Sequence, residues 1–116
     1  MIVFISQPMS GLSEEEITIT REHIIDKIIK KYGHDVTIMN SYYNDDYRKA
    51  IEEDMGDSLK HPPLYWLSRA LESLAECDVI WMCDGWEKSK GCFIEMQCAQ
   101  FYDIDTEFDS DYKQED

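Results

Sequence analysis

The chain has 116 residues, enough for one core and too few for two. Its 25 acidic against 11 basic residues give a formal charge of −14, which excludes the basic footprint that sequence-independent binding of long nucleic acid requires. A small anionic ligand stays compatible with that charge, because a helix N-terminus supplies a local positive end.

The first nine residues, MIVFISQPM, lack a basic lead and a long apolar run, so neither a secretion signal nor a membrane span is expected there, and a cytoplasmic protein is. Residues 2–5 are an apolar run closed by Ser6-Gln7-Pro8, the pattern of a short strand buried on both faces. After a loop at 7–12, Ser13-Glu14-Glu15-Glu16 has the S-x-x-E form of a capping box, and its acids suit the positive end of the helix that follows. Ile17, Ile24, Ile25, Ile28 and Ile29 put an apolar stripe on that helix, and Gly33 is placed to end it. Residues 35–39 (DVTIM) are the second strand, and 40–57, with three tyrosines, read as an irregular polar stretch. A second helix is expected to begin after Pro62-Pro63, with Leu64, Leu67, Leu71, Leu74 and Ala75 as its stripe. Residues 78–83 (DVIWMC) make the third strand, and a last helix over 92–102 is expected to bury Ile94, Cys98 and Ala99 or their near neighbours. Strands alternating with helices in this way predict an α/β fold: a single three-layer domain with a short central parallel sheet, Rossmann-like or flavodoxin-like, and helices on both faces. The domain is expected to span 1–102, leaving 103–116, with seven acids and one lysine, as a solvated tail.

Cys77, Cys83, Cys92 and Cys98 lie six, nine and six positions apart, without a C-x-x-C pair or histidines at zinc-finger spacing. Buried reduced thiols are therefore expected rather than disulfides, and no metal site or cofactor is expected. The strongest functional signal is the run 79–99, VIWMCDGWEKSKGCFIEMQCA, where an apolar strand empties into a Gly-bracketed polar loop leading to a helix. Glu95 is expected in the first turn of that helix. In a parallel sheet, ligands bind beyond the carboxyl ends of the strands. The loops leaving the three strands gather Ser6, Gln7, Met9, Ser10, Gly11, Asn40, Tyr42, Asp84, Gly85, Trp86, Ser89, Gly91 and Glu95 around one crevice. Trp86 and the tyrosines offer faces for a flat ring, while the serines and backbone amides offer hydrogen bonds to hydroxyl or phosphate oxygens. A purely structural reading stands beside this one: Trp86 as a lid over the core, Gly91 as a turn residue, Glu95 as an acid favoured by the helix dipole.

Three motifs carry a resemblance: VFISQPMSG, AECDVIW and the G-x-x-x-E-x-x-x-A element GCFIEMQCA. They are similar to the nucleoside 2-deoxyribosyltransferase-like superfamily, which includes the 2'-deoxynucleoside 5'-monophosphate N-glycosidases. The GWEKSKG loop most resembles small bacterial and phage domains with a G-W-x-x-S-x-G-x-x-x-E pattern. The resemblance implies an α/β sandwich, a homo-oligomer, a small nucleoside or nucleotide ligand, and Glu95 as the nucleophile that attacks an anomeric carbon while a base departs. A carboxylate suits that role, because it stabilises an oxocarbenium-like state and can form a glycosyl ester. One position departs from the family pattern: eight residues before Asp78, where the enzymes generally place an aspartate, stands Ala70. Two readings follow. The first is an N-glycosidase or deoxyribosyltransferase; the second is a non-catalytic binder, phage-encoded in one version, that sequesters or senses a nucleotide-derived signal such as a cyclic nucleotide or ADP-ribose derivative. A third, a protein-interaction domain with an acidic surface, carries less of the sequence.

Overall fold

The computed structural model describes residues 1–109. Four strands, β1 (Ile2–Ser6), β2 (Thr37–Ile38), β3 (Val79–Met82) and β4 (Asp105–Phe108), form one sheet in the order β2-β1-β3-β4. Every pairing is parallel. The helices are α1 (Glu14–Tyr32), α2 (Asp45–Met55), α3 (Pro62–Leu74) and α4 (Lys90–Phe101), with short 3₁₀ turns at Gly56–Ser58 and Trp86–Lys88.

Strand periodicity divides the core into two layers. Side chains alternate across a strand, so Val3, Ile5, Val79, Trp81 and Cys83 pack against Ile24 and Ile28 of α1. Phe4, Ile80 and Met82 face the other way, onto Leu74 of α3 and Cys92, Met96 and Ala99 of α4. Helices thus cover both faces of the sheet, giving the three-layer α/β domain the sequence predicts. β3, and β1 up to its last residue Ser6, are apolar because each strand lies inside the sheet between two helical layers. The capping box forms as read: Ser13 accepts from the Glu16 amide and Glu16 accepts from the Ser13 amide, both at 3.1 Å. Asp78 ties the sheet together, since its carboxylate accepts from the Ile2 amide at 2.7 Å and its own amide donates to Ile2 O at 2.8 Å.

Several expectations are corrected. The stretch 40–57 holds a helix, α2, capped by Asn44, whose Oδ1 accepts from the Tyr47 amide at 2.8 Å. None of its residues is buried, and its apolar stripe is only the short repeat Tyr47, Ile51 and Met55. The second strand is confined to two residues. On α3, Leu64 and Ala75 are exposed and Trp66 is buried instead. On α4, Ile94 is exposed and Met96 lies in the core. The tail expected from Asp103 is partly sheet: β4 pairs along β3, and its acids have partners. Glu107 meets Lys31 at 2.8 Å, while Asp109, just beyond the strand, accepts from Trp81 Nε1 and Lys27, each at 3.2 Å. Phe108 packs its ring 5.7 Å from that of Trp86. The rest of the expected tail, 110–116, lies outside the described residues. All four cysteines carry free thiols, Cys83 and Cys92 buried, Cys77 and Cys98 half-buried. No helix among the described residues is long and apolar enough to cross a membrane.

Candidate functional site

The alternation that builds the core also aims the last residue of β1. Ser6 follows Phe4 onto the α4 side of the sheet, where its hydroxyl donates a 2.7 Å hydrogen bond to Glu95 Oε1. Both residues are buried, Ser6 at 1% and Glu95 at 8% exposure. Gln7, one residue on, turns to the other face: its Nε2 donates to Ile17 O at 3.0 Å, and its Oε1 accepts from Arg21 at 3.4 Å. Arg21 also donates to Met39 O and Ser41 Oγ. One guanidinium therefore fixes the loops that leave β1 and β2 relative to each other.

Glu95 stands in the second turn of α4, because the helix begins at Lys90 with Ser89 as its cap; the Ser89 hydroxyl accepts from the Cys92 amide at 3.4 Å. The expectation of a first-turn acid is thus corrected, and helix-dipole stabilisation is confined to that first turn. A dipole-favoured surface acid does not describe a buried carboxyl. Burial instead pushes the Glu95 carboxyl up from 4.5 to about 7, opposed by the hydrogen bond from Ser6. Glu95 Oε2 accepts no hydrogen bond from the described residues. No side-chain oxygen or nitrogen among them is both sealed from solvent and unpartnered, so Oε2 opens onto the adjoining cavity.

That cavity holds about 460 Å³. Gln7, Met9 and Ser10 line it from the loop after β1, Tyr42 from the segment after β2, and Ser89, Gly91 and Glu95 from the start of α4. Those seven predicted residues are brought together, with Ser6 directly behind Glu95. Five others are not among its lining. Gly11 and Asn40 are exposed. Asp84 faces a different, smaller cavity beside α1. Gly85 holds a left-handed turn at φ 86°, with Pro8 Cγ 3.7 Å from where a Cβ would stand. Trp86 is the core lid of the structural reading: at 6% exposure it stacks on Phe93 at 6.2 Å and packs against Phe108.

The aromatic wall lies elsewhere. Tyr43 and Trp66 line the cavity with their rings 5.5 Å apart, joined by Arg48, Leu67 and Ala70. Trp66 is braced by its Nε1, which donates to Glu52 at 2.9 Å, and by Arg48, 5.2 Å over its ring. Arg69 lies over Tyr43, Tyr65 and Trp66 and donates to the Tyr65 hydroxyl at 3.1 Å. The missed signal is Trp66, an aromatic inside an otherwise leucine-patterned helix. Position 70, where the resemblance leads one to expect an aspartate, does face the same cavity as Glu95 and is alanine. Among the residues that line it, Glu95 is the sole carboxylate and Arg48 the sole cation.

A family model for a domain of unknown function, DUF4406, matches residues 1–106. The chain belongs to the DUF4406 family. The match continues past Tyr102 into β4, in keeping with a sheet that includes that strand. No curated protein and no solved structure matches this DUF4406 chain. Burial raises the pKa of the Cys92 thiol at the cavity wall, so it stays protonated near neutral pH and is a poor nucleophile. Among the described residues no three metal-ligating side chains converge. The chemistry available to this DUF4406 cavity is that of one poised carboxyl, hydroxyls, aromatic faces and one guanidinium.

Proposed function

We propose that the cavity binds a small nucleoside or nucleotide and that Glu95 cleaves or transfers its N-glycosidic bond. The observation that carries the reading is Glu95 itself: a buried carboxyl with one oxygen held by Ser6 and the other open to a cavity with an aromatic wall. In this mechanism the ionised Oε2 attacks the anomeric carbon, and the bond to the base breaks with its electron pair leaving on the base nitrogen, which takes a proton from water. Water then attacks the same carbon, a proton is lost to solvent, and the carboxylate departs; a second base in place of water gives transfer. Ser6 holds the carboxyl in one orientation, and Tyr43 with Trp66 receives the base. The reading takes the protein as a cytoplasmic one without long nucleic acid as a partner, and as a homo-oligomer with a small ligand, the last two being what the resemblance to the deoxyribosyltransferase-like superfamily implies.

The direct test is free-base release from a panel of deoxynucleosides and their 5'-monophosphates. Release by the wild type and its loss in Glu95→Ala are expected; no release, or equal release by the variant, overturns catalysis. Ala70 favours a second reading, in which the cavity binds without turnover. The family's acid would assist the departing base, and an alanine cannot. A ligand recovered intact after incubation, together with a rise in Tm, would select that reading.

A further inference from the structure

Two arginines flank the aromatic wall and are used differently. Arg69 is committed, with donors to the hydroxyls of Tyr65 at 3.1 Å and Tyr43 at 3.5 Å and its charge over three rings. Arg48 is half-buried in the cavity lining, with its guanidinium 5.2 Å from the centre of the Trp66 ring. Among the described residues its guanidinium donates no hydrogen bond and enters no ion pair, although acids outnumber bases 25 to 11 in the chain. Its own helix starts with Asp45 and Asp46, and neither carboxylate pairs with it. In a molecule this acidic, an arginine stacked in a cavity with unfilled donors is poorly explained as a structural ion-pair partner.

We propose that Arg48 is the anchor for an anionic group of the ligand, so that the cavity selects phosphorylated nucleosides over uncharged ones. This rests on the reading above that the cavity is a nucleoside site. Stacking on Trp66 leaves the guanidinium edge, with its fork of donors, available to two phosphoryl oxygens at once. Long-range attraction cannot deliver an anion to a surface of net charge −14, so a local cation has to supply the recognition. The serine hydroxyls of the lining, Ser10 and Ser89, add neutral donors without adding a second charge. An uncharged nucleoside would leave the Arg48 donors to water and gain nothing from them.

The test is equilibrium binding of matched pairs, each 2'-deoxynucleoside with its own 5'-monophosphate, to the wild type, Arg48→Gln and Arg48→Lys. If turnover consumes the ligand, the ratio of kcat/KM values reads the same preference. The wild type is expected to favour the monophosphate at least tenfold, the range of a charge-assisted bidentate contact. Arg48→Gln should bring the two members of each pair to within about threefold by lowering monophosphate affinity much more than nucleoside affinity, and Arg48→Lys should restore part of the difference as a point charge. Equal affinity for both members in the wild type overturns the inference, and so does an equal loss on both in Arg48→Gln, which would make Arg48 a base or sugar contact. If neither member of any pair binds, the reading of the cavity as a nucleoside site fails, and this inference with it. Thermal unfolding of each variant keeps a folding defect from being mistaken for either result.

Discussion

The two sides of the cavity are built on different physics. The Glu95 side belongs to the core: Ser6 ends a strand buried on both faces, and α4 sets Cys92, Met96 and Ala99 against the same sheet. The Arg48 side is a surface assembly. Helix α2 buries no residue and is tied to its neighbours by the Trp66–Glu52 hydrogen bond, by cations over rings, and by Glu14, which accepts from the Asp45 amide at 2.7 Å. The contrast teaches that the group proposed to do chemistry is held by close packing, whereas Arg48, proposed to recognise the ligand, sits on a helix that buries no residue. Catalytic geometry tolerates little displacement, and recognition gains from an element that can close on what it binds.

The largest expected effect tests the rigid side. Phe4→Ala empties a fully buried position between β1 and α4 and should cost about 3–5 kcal/mol in denaturant unfolding. A loss below about 1 kcal/mol would deny that this side is close-packed.

Next in size is a pH effect. The folded-state pKa of Glu95 lies above its unfolded value, so the folded protein binds the proton more tightly. The stabilisation from that proton is complete below about pH 4.5 and is lost as pH rises through about 7. Glu95→Gln should therefore be the more stable protein at pH 8, by on the order of 3 kcal/mol, with little difference at pH 4. Parallel pH dependence of the two proteins would show that the carboxyl is not desolvated.

The smallest effect tests the adjustable side. Asn44→Ala removes the α2 cap, worth about 1 kcal/mol. Because α2 buries nothing, the loss should appear as faster amide exchange within α2 while β3 amides keep their protection. A matching acceleration in β3 would mean that α2 unfolds only with the whole domain, and the contrast would collapse.

What was legible in the sequence follows the same division. Apolar runs at β1 and β3, the capping box of α1 and the loop before α4 are local signals with one physical solution, and they bring Ser6, Ser89, Gly91 and Glu95 to one end of the sheet, with Glu95 a turn later in α4 than expected. Strand β4 carries few apolar residues, and the repeat of Tyr47, Ile51 and Met55 that marks helix α2 is short and set among charges, so neither stands out in the sequence. The acids of 103–109 read as solvated because Lys31, Lys27 and Trp81, which receive them, are distant in sequence. Trp86 was expected at the crevice because it sits in the motif loop, but a left-handed turn at Gly85 precedes it and its ring packs into the core. The aromatic wall of the cavity is made by Tyr43 and Trp66, which only the tertiary fold brings together.

The central claim, that Glu95 is a desolvated carboxyl facing a nucleotide cavity, is tested most directly by titrating that carboxyl by carbon-13 NMR, with and without a deoxynucleoside monophosphate. The account predicts a midpoint near 7 in the free protein and a higher one when the anion is bound. A midpoint near 4.5 that no nucleotide moves would contradict it.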